Sequence, residues 1–335
     1  MPSPISELAP FTPSRPFTNG HVQTLMASLP LRRPLERHRA RALLASSQAM
    51  IFNCGDGVRL HGEYSPQPVP SGELVVLIHG WEGCSDSLYL LSAASYLYRQ
   101  GFDVLRLHLR DHGPSHHLNR ELFNSSRDAE VAGAMHDIHS CLRPERLMLA
   151  GFSLGGNFAL RVGLRAEEYD IPLERVAAVC PVISPPSTMD SLEQGWSLYH
   201  NYFVRKWKRS LATKLEHFPE LGYRDALLKM RSLREMTDYF VIHHTDFEDT
   251  ERYLESYAIT GQRLAGLKRP ALLLAAEDDP VILAENLDQL ADNPLLEVRL
   301  TRHGGHCGYI KNWSLHSWAN EALHAFLTRP LAGAV

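Results

Sequence analysis

Short apolar runs without a single polar residue alternate with helical periodicity along most of this chain. Leu74-Val-Val-Leu-Ile78 and Ala271–Ala276 are the clearest of them. A strand with one wet face would alternate apolar and polar residues, so runs like these predict strands covered on both faces. Between them lie helical stretches at Ser87–Arg99, closing at Gly101, and at Leu154–Arg165. Ser125-Ser-Arg-Asp128 reads as a capping box opening a helix that carries Val131, Met135, Ile138 and Leu142 on one face. Phe102–Leu109, Arg146–Ala150, Arg175–Val182 and Leu296–Thr301 complete the expected strands. Strand and helix in alternation mean an α/β fold, a mostly parallel central sheet with helices on both faces.

Two regions depart from the alternation. Residues 1–45 carry Pro2, Pro4, Pro10, Pro13, Pro16, Pro30 and Pro34 and form a leader too broken for a long helix. A hairpin follows, with Ala49–Cys54 and Val58–Tyr64 joined at Gly55-Asp-Gly57. The pattern stops again at Pro185-Pro186 and resumes at Arg269-Pro270. Residues 185–258 hold 12 of the 29 aromatic residues in 74 positions, well above the density elsewhere. That composition predicts a helical cap inserted into a core formed by residues 46–184 and 259–335. Beyond it come a helix near Leu283–Ala291 and a last helix from Ser314, with Leu315, Trp318, Leu323 and Phe326 on one stripe.

Composition removes several function classes. The 34 basic and 38 acidic side chains give a net charge of −4, no footprint for nucleic acid. The apolar runs are far too short to span a bilayer, and the first thirty residues lack a basic start followed by an apolar stretch. Cys54, Cys84, Cys141, Cys180 and Cys307 are scattered without a CxxC pair, as expected of reduced thiols in a cytoplasmic enzyme.

The chemistry concentrates at Gly151-Phe-Ser153-Leu-Gly155, where an expected strand gives way to an expected helix. This GxSxG pattern is a nucleophile elbow: glycines relieve crowding in a sharp turn and leave the serine exposed above the sheet. Its partners should follow later strands, in the order acid then histidine. Asp279, in Ala276-Glu-Asp-Asp-Pro280, is preferred to Asp278 as the acid. His306, behind two glycines that let its loop bend inward, is preferred to His303. Neutral His306 would take the Ser153 proton during attack on an acyl carbonyl, with Asp279 fixing the imidazole tautomer. His79-Gly80-Trp81 follows the strand Leu74–Ile78, and the backbone N–H groups of Trp81 and Leu154 are the expected oxyanion hole. His79 itself reads as a hydrogen-bonded structural residue.

Taken together these residues resemble the α/β-hydrolase superfamily over roughly residues 46–330, and within it the YheT-like hydrolases. The family likeness is carried by Phe17-Thr-Asn-Gly-His-Val-Gln-Thr24, Leu77-Ile-His-Gly80, Gly151-Phe-Ser-Leu-Gly-Gly-Asn157, Ala276-Glu-Asp-Asp-Pro280 and Gly304-Gly-His306. The resemblance implies a serine-dependent carboxylic-ester hydrolase, able in some members to pass acyl groups to alcohols, with no cofactor. The family includes membrane-anchored lipases; the missing apolar span shifts the expectation here toward soluble or dispersed esters. Arg110-Asp-His-Gly-Pro-Ser-His-His117 is a weaker match and carries no role over.

Other patterns have ordinary explanations. His112, His116 and His117 are close in sequence, yet no carboxylate or cysteine completes a metal-ligand set, and no metal is expected. His244 and Asp249 fit an HxxxxD acyltransferase spacing, but with 18 histidines about one such match arises by chance. Trp196, Tyr199, Phe203 and Trp207 share one helical face in the cap. They read as packing within the cap, as a lid on an acyl pocket, or as a peripheral membrane contact. The leading expectation is hydrolysis of a small-molecule ester through an acyl-enzyme, with a short to medium apolar acyl part. The alternatives are an alcohol O-acyltransferase using the same residues and a non-catalytic binding protein of the same fold.

Overall fold

The computed structural model of the chain describes residues 8–330; Pro2 and Pro4 of the leader and the last five core residues lie outside that range. The leader forms three short helices, α1 (Gly20–Ser28), α2 (Arg33–Arg39) and α3 (Arg41–Ser46). Asn19 caps α1 by accepting the Val22 N–H at 3.1 Å. Pro30 and Pro34 stand at the first turns of helical segments, where a missing N–H costs nothing.

Eight strands build one sheet: β1 (Gln48–Asn53), β2 (Arg59–Ser65), β3 (Glu73–Ile78), β4 (Asp103–Leu107), β5 (Arg146–Phe152), β6 (Leu173–Val179), β7 (Ala271–Ala276) and β8 (Leu296–Thr301). Their spatial order is β1-β2-β4-β3-β5-β6-β7-β8. β2 runs antiparallel to both its neighbours and the remaining pairs are parallel. The apolar run in β3 serves two cores at once. Leu74, Val76 and Ile78 pack into one, with α5 (Asp128–Leu142) and α6 (Leu154–Leu164). Val75 and Leu77 pack into the other, with α4 (Leu88–Arg99) and α12 (Trp318–Leu327). Burying each such side chain contributes about 1.5–3 kcal/mol, which is why the strand is apolar on both faces from Leu74 onward.

Five helices separate β6 from β7: α7 (Pro185–Gln194), α8 (Ser197–His217), α9 (Arg224–Lys229), α10 (Leu233–His244) and α11 (Thr250–Ser256). The prolines that interrupt the alternation open α7, capped by Ser184. α10 carries a complete capping box between Ser232 and Glu235. No helix among the described residues is long and apolar enough to cross a membrane.

Three local expectations are corrected. Ser125 does not cap α5, which starts at Asp128 without a side-chain cap. The Ser125 backbone is instead held by the Tyr253 hydroxyl and the Arg161 guanidinium, while Asn124 Oδ1 accepts both the N–H and the hydroxyl of Ser126. The helix expected near Leu283–Ala291 is a short 3-10 turn, Ala284–Gln289, whose last carbonyl is taken by the Gly261 N–H. The final helix begins at Trp318, because Leu315 has φ 59° and Ser317 pairs with Ile310 in a β-bridge. Leu315 therefore lies off the stripe that buries Trp318, Leu323 and Phe326.

Candidate active site

β5 delivers Ser153 at the carboxyl edge of the sheet, immediately before α6. Its backbone has φ 54° and ψ −121°, a conformation non-glycine residues rarely adopt. The glycines around it are required by contact. A Cβ on Gly151 would lie 2.1 Å from the Gly155 carbonyl oxygen, and one on Gly155 2.3 Å from the His79 carbonyl oxygen. The Asn157 side chain donates to the Val182 and Tyr257 carbonyls, tying α6 to the loop after β6 and to the end of the insertion.

The loops after β7 and β8 bring Asp279 and His306 to this serine. His306 Nε2 lies 2.9 Å from Ser153 Oγ, and His306 Nδ1 lies 2.9 Å from Asp279 Oδ2. The other Asp279 oxygen accepts the N–H groups of Val281 and Ile282, so the carboxylate is fixed in place. Asp278 faces elsewhere: it accepts the Gly305 N–H at 2.8 Å and faces His303 at 3.3 Å, bracing the histidine loop from outside.

Trp81 and Leu154 flank Ser153 in the same pocket wall. Leu154 is the first residue of α6, so its N–H has no intrahelical acceptor. In the Gly80–Gly83 turn the other N–H groups are engaged: Gly80 donates to the Tyr89 hydroxyl, Glu82 to His112 Nε2 and Gly83 to the Gly80 carbonyl. Among the described residues the Trp81 N–H is the one in that turn with no protein acceptor. A Cβ on Gly80 would sit 3.1 Å from the Ser153 Cβ, so the turn approaches the serine as closely as a glycine allows.

His79, His108 and His112 hold this turn. Glu82 and Ser85 donate N–H groups to His112 Nε2 and His108 Nε2, and Leu109 donates to His79 Nε2. A ring nitrogen that accepts an N–H is unprotonated, so His79 and His112 carry their proton on Nδ1, facing the carbonyls of Gly80 and Arg110. Burial, reinforced by neighbouring His108, pushes His79 down to about 3; burial beside His61 does the same to His108. His116 bonds Ser210 Oγ at 2.9 Å. Arg110 pairs with Glu130, and Asp111 with buried Lys214 at 2.7 Å, anchoring the segment beneath. The stretch that carried no role is thus a brace for the loop next to Ser153.

Sequence reasoning missed the leader's part. Thr24 Oγ1 accepts the His306 N–H at 2.9 Å, and the buried Gln23 side chain bridges the Phe17 and Ile310 carbonyls while accepting the Ile310 N–H. A Cβ on Gly20 would lie 2.0 Å from the Asp278 carbonyl oxygen. The signal was the motif Phe17–Thr24 itself, quoted for the family likeness with no role attached.

Ser153 stands where two cavities meet. One, about 110 Å³, is apolar and roofed by the insertion, with Met189, Leu192, Phe203, Trp207 and Phe240 in its walls. The other, about 350 Å³, opens between the leader and α8 and is bordered by His306, Arg33, Tyr202 and Lys206. The aromatic face of α8 packs outward from the insertion. Phe203 stacks on Trp81 at 5.3 Å, Trp207 meets it edge-on at 5.2 Å, and Tyr199 bonds His21 of α1. His244 borders the apolar cavity, while Asp249 caps α11 by accepting the Arg252 N–H, so that spacing match joins no common site.

A family profile described as alpha/beta hydrolase fold matches residues 73–312. "Putative esterase YheT" of Escherichia coli is 26% identical over 333 residues, covering 96% of this chain and 94% of that protein. "Monoacylglycerol lipase" of Saccharomyces cerevisiae is 24% identical over 319 residues, covering 88% of this chain and 68% of that protein. In three dimensions the Pyrococcus furiosus esterase Pf2001 superposes with a TM-score of 0.55 at 18% identity, over 86% of this chain and 92% of that one, a likeness of fold. The strand order, the serine elbow between β5 and α6, and a profile match spanning most of the residues agree: the chain belongs to the α/β-hydrolase family, in its YheT-like branch.

Proposed function

We propose that this hydrolase of the esterase and lipase type cleaves carboxylic esters through an acyl-enzyme on Ser153. The observation that carries the reading is the continuous hydrogen-bonded relay from Ser153 Oγ through His306 to Asp279. His306 Nε2 accepts the serine proton as Oγ attacks the acyl carbonyl, and Asp279 stabilises the imidazolium that forms. The developing oxyanion sits between the Trp81 and Leu154 N–H groups, at the positive end of α6. His306 then gives its proton to the departing alcohol, and water resolves the acyl-enzyme by the reverse sequence. The small apolar cavity suits a short to medium acyl chain. The larger cavity, bordered by His306, suits the alcohol portion, which must leave from the side that holds its proton.

That second cavity also favours acyl transfer as a second reading, since an alcohol held there would compete with water for the acyl-enzyme. A non-catalytic role has no use for the relay. The test is a panel of p-nitrophenyl esters of rising chain length, with and without an alcohol acceptor, on wild type and Ser153→Ala. We expect the variant to lose at least about 10³-fold in kcat. Equal turnover by both proteins refutes the mechanism, and ester product formed from the alcohol favours the transferase.

A further inference from the structure

Two thiols lie directly behind His306. The ligand atoms of Cys180, Cys307 and His306 all fall within 4.8 Å of one another, the one such grouping of three metal-ligating side chains among the described residues. Nothing in the relay uses the cysteines. Cys180 directly follows β6, with φ 47°, and Cys307 follows His306, with φ 61°; both are buried. Their present contacts are long: Cys180 Sγ lies 3.6 Å from both the Gly305 carbonyl and the Tyr309 hydroxyl, Cys307 Sγ 3.8 Å from the Val179 carbonyl, and the Cys307 nitrogen 3.4 Å from Cys180 Sγ. The cluster has a route to solvent, because His306 and Cys307 both border the larger cavity. It also has a negative neighbour. Asp279 has His306 as its one ion-pair partner among the described residues.

We propose that Cys180, Cys307 and His306 form an inhibitory site for a thiophilic divalent cation of the zinc class. Two sulfurs and one imidazole nitrogen are the donor set such ions select, and tetrahedral coordination needs donors roughly 3.5 Å apart, a closure of about 1 Å from the present spacing. On binding, each thiol gives its proton to solvent, two S–metal bonds and one N–metal bond form, and a water completes the sphere. Either ring nitrogen serves to block the relay. Coordination through Nε2 consumes the lone pair that accepts the Ser153 proton. Coordination through Nδ1 leaves the ring proton on Nε2, which then cannot accept one, and breaks the bond to Asp279.

The inhibition readout rests on the ester-hydrolase reading, so metal binding is also measured without turnover. Cadmium, a spectroscopic stand-in for zinc, is titrated into wild type and Ser153→Ala while the ultraviolet sulfur-to-metal charge-transfer band is followed. We expect a band of two-thiolate amplitude, saturating at one equivalent in both proteins. In parallel, zinc is titrated against p-nitrophenyl ester turnover. We expect at least a tenfold loss of rate, restored by EDTA, with the half-inhibiting concentration rising at least tenfold in Cys180→Ser and Cys307→Ser, each compared with its own metal-free rate. If the serine variants do not fold, the band on the wild type decides alone, because Cys54, Cys84 and Cys141 belong to no grouping of three ligating side chains among the described residues. No two-thiolate band, or zinc inhibition unchanged in folded serine variants, overturns the proposal. A band without any ester turnover keeps the metal site and removes the ester reading.

Discussion

Acidification pulls the braced loop in two opposite directions, and the structure says which should win. His79, His108 and His116 are buried neutral, held down to about 3, 3 and 4 by desolvation first and by neighbouring histidines or Lys214 second. An unfolded histidine titrates near 6.5, so their contribution to stability is complete above that pH and is lost as pH falls from 6.5 toward 3. At pH 5 the unfolded chain has gained about 1.5 pH units of protonation free energy at each, about 2 kcal/mol apiece or roughly 6 in all. Glu82 works the other way. Its burial, only partly offset by Lys206, raises its carboxyl to about 8. A carboxyl raised above its ordinary 4.5 destabilises the fold at pH 7.5 and is relieved on acidification, returning about 3 kcal/mol by pH 5. The net expectation from these four groups is a loss of about 3 kcal/mol between pH 7.5 and 5, on the order of a hundredfold in the folding equilibrium, and buried His112, lowered in the same direction by desolvation, adds to it. Urea unfolding followed by tryptophan fluorescence at the two pH values measures it. Glu82→Gln removes the opposing contribution, so its loss over the same interval should be at least about 6 kcal/mol. A wild type that changes by less than 1 kcal/mol, or equal pH dependence in the two proteins, refutes the argument.

Other outcomes follow from the same geometry. Asp279→Asn should lower kcat by about 10⁴ through the wrong imidazole tautomer, against at most about tenfold for Asp278→Asn, which only braces the loop; a reversed order in steady-state kinetics excludes Asp279 as the acid. Gly155→Ala drives a Cβ into the Ile78 and His79 carbonyls at 2.5 and 2.3 Å and should cost at least about 3 kcal/mol by chemical denaturation; a wild-type midpoint would contradict that close approach. Met189→Ala enlarges the apolar cavity and should move the best p-nitrophenyl substrate to a longer acyl chain, whereas an unchanged optimum places the chain elsewhere. Thr24→Val leaves the His306 N–H without its acceptor and should cost about 1–3 kcal/mol with a fall in kcat, while Thr24→Ser should restore both.

Much of the fold was legible along the chain because its causes are local. An apolar run such as Leu74–Ile78 cannot sit in a sheet with a wet face, and Gly151 and Gly155 have no other residue type that fits their turn. The capping box at Ser125 and the helix start at Ser314 were misread for the complementary reason. The Ser125 backbone is claimed by Tyr253 and Arg161, and the segment after Ser314 folds back so that Ser317 pairs with Ile310, partners that local propensity does not see.

The site divides in the same way. Ser153 was identifiable by itself, since a strained strand-to-helix turn has a glycine signature at fixed spacing. Its partners could be ranked by position but not joined: Asp278 and Asp279 are neighbours, and only the packing of two loops decides that one faces His306 and the other Gly305. The closely spaced histidines completed no metal-ligand set in sequence, and tertiary structure alone reveals His79, His108 and His112 as hydrogen-bonded bracing for the turn at Trp81. The contribution of Gln23 and Thr24, and the approach of Cys180 to Cys307, cross more than a hundred residues of chain. Sequence by itself determined the alternating architecture and the serine elbow, because both rest on sterics and burial within a few residues. Only the tertiary structure decided which carboxylate, which bracing and which thiols meet at His306, because those contacts exist only once distant loops share one edge of the sheet.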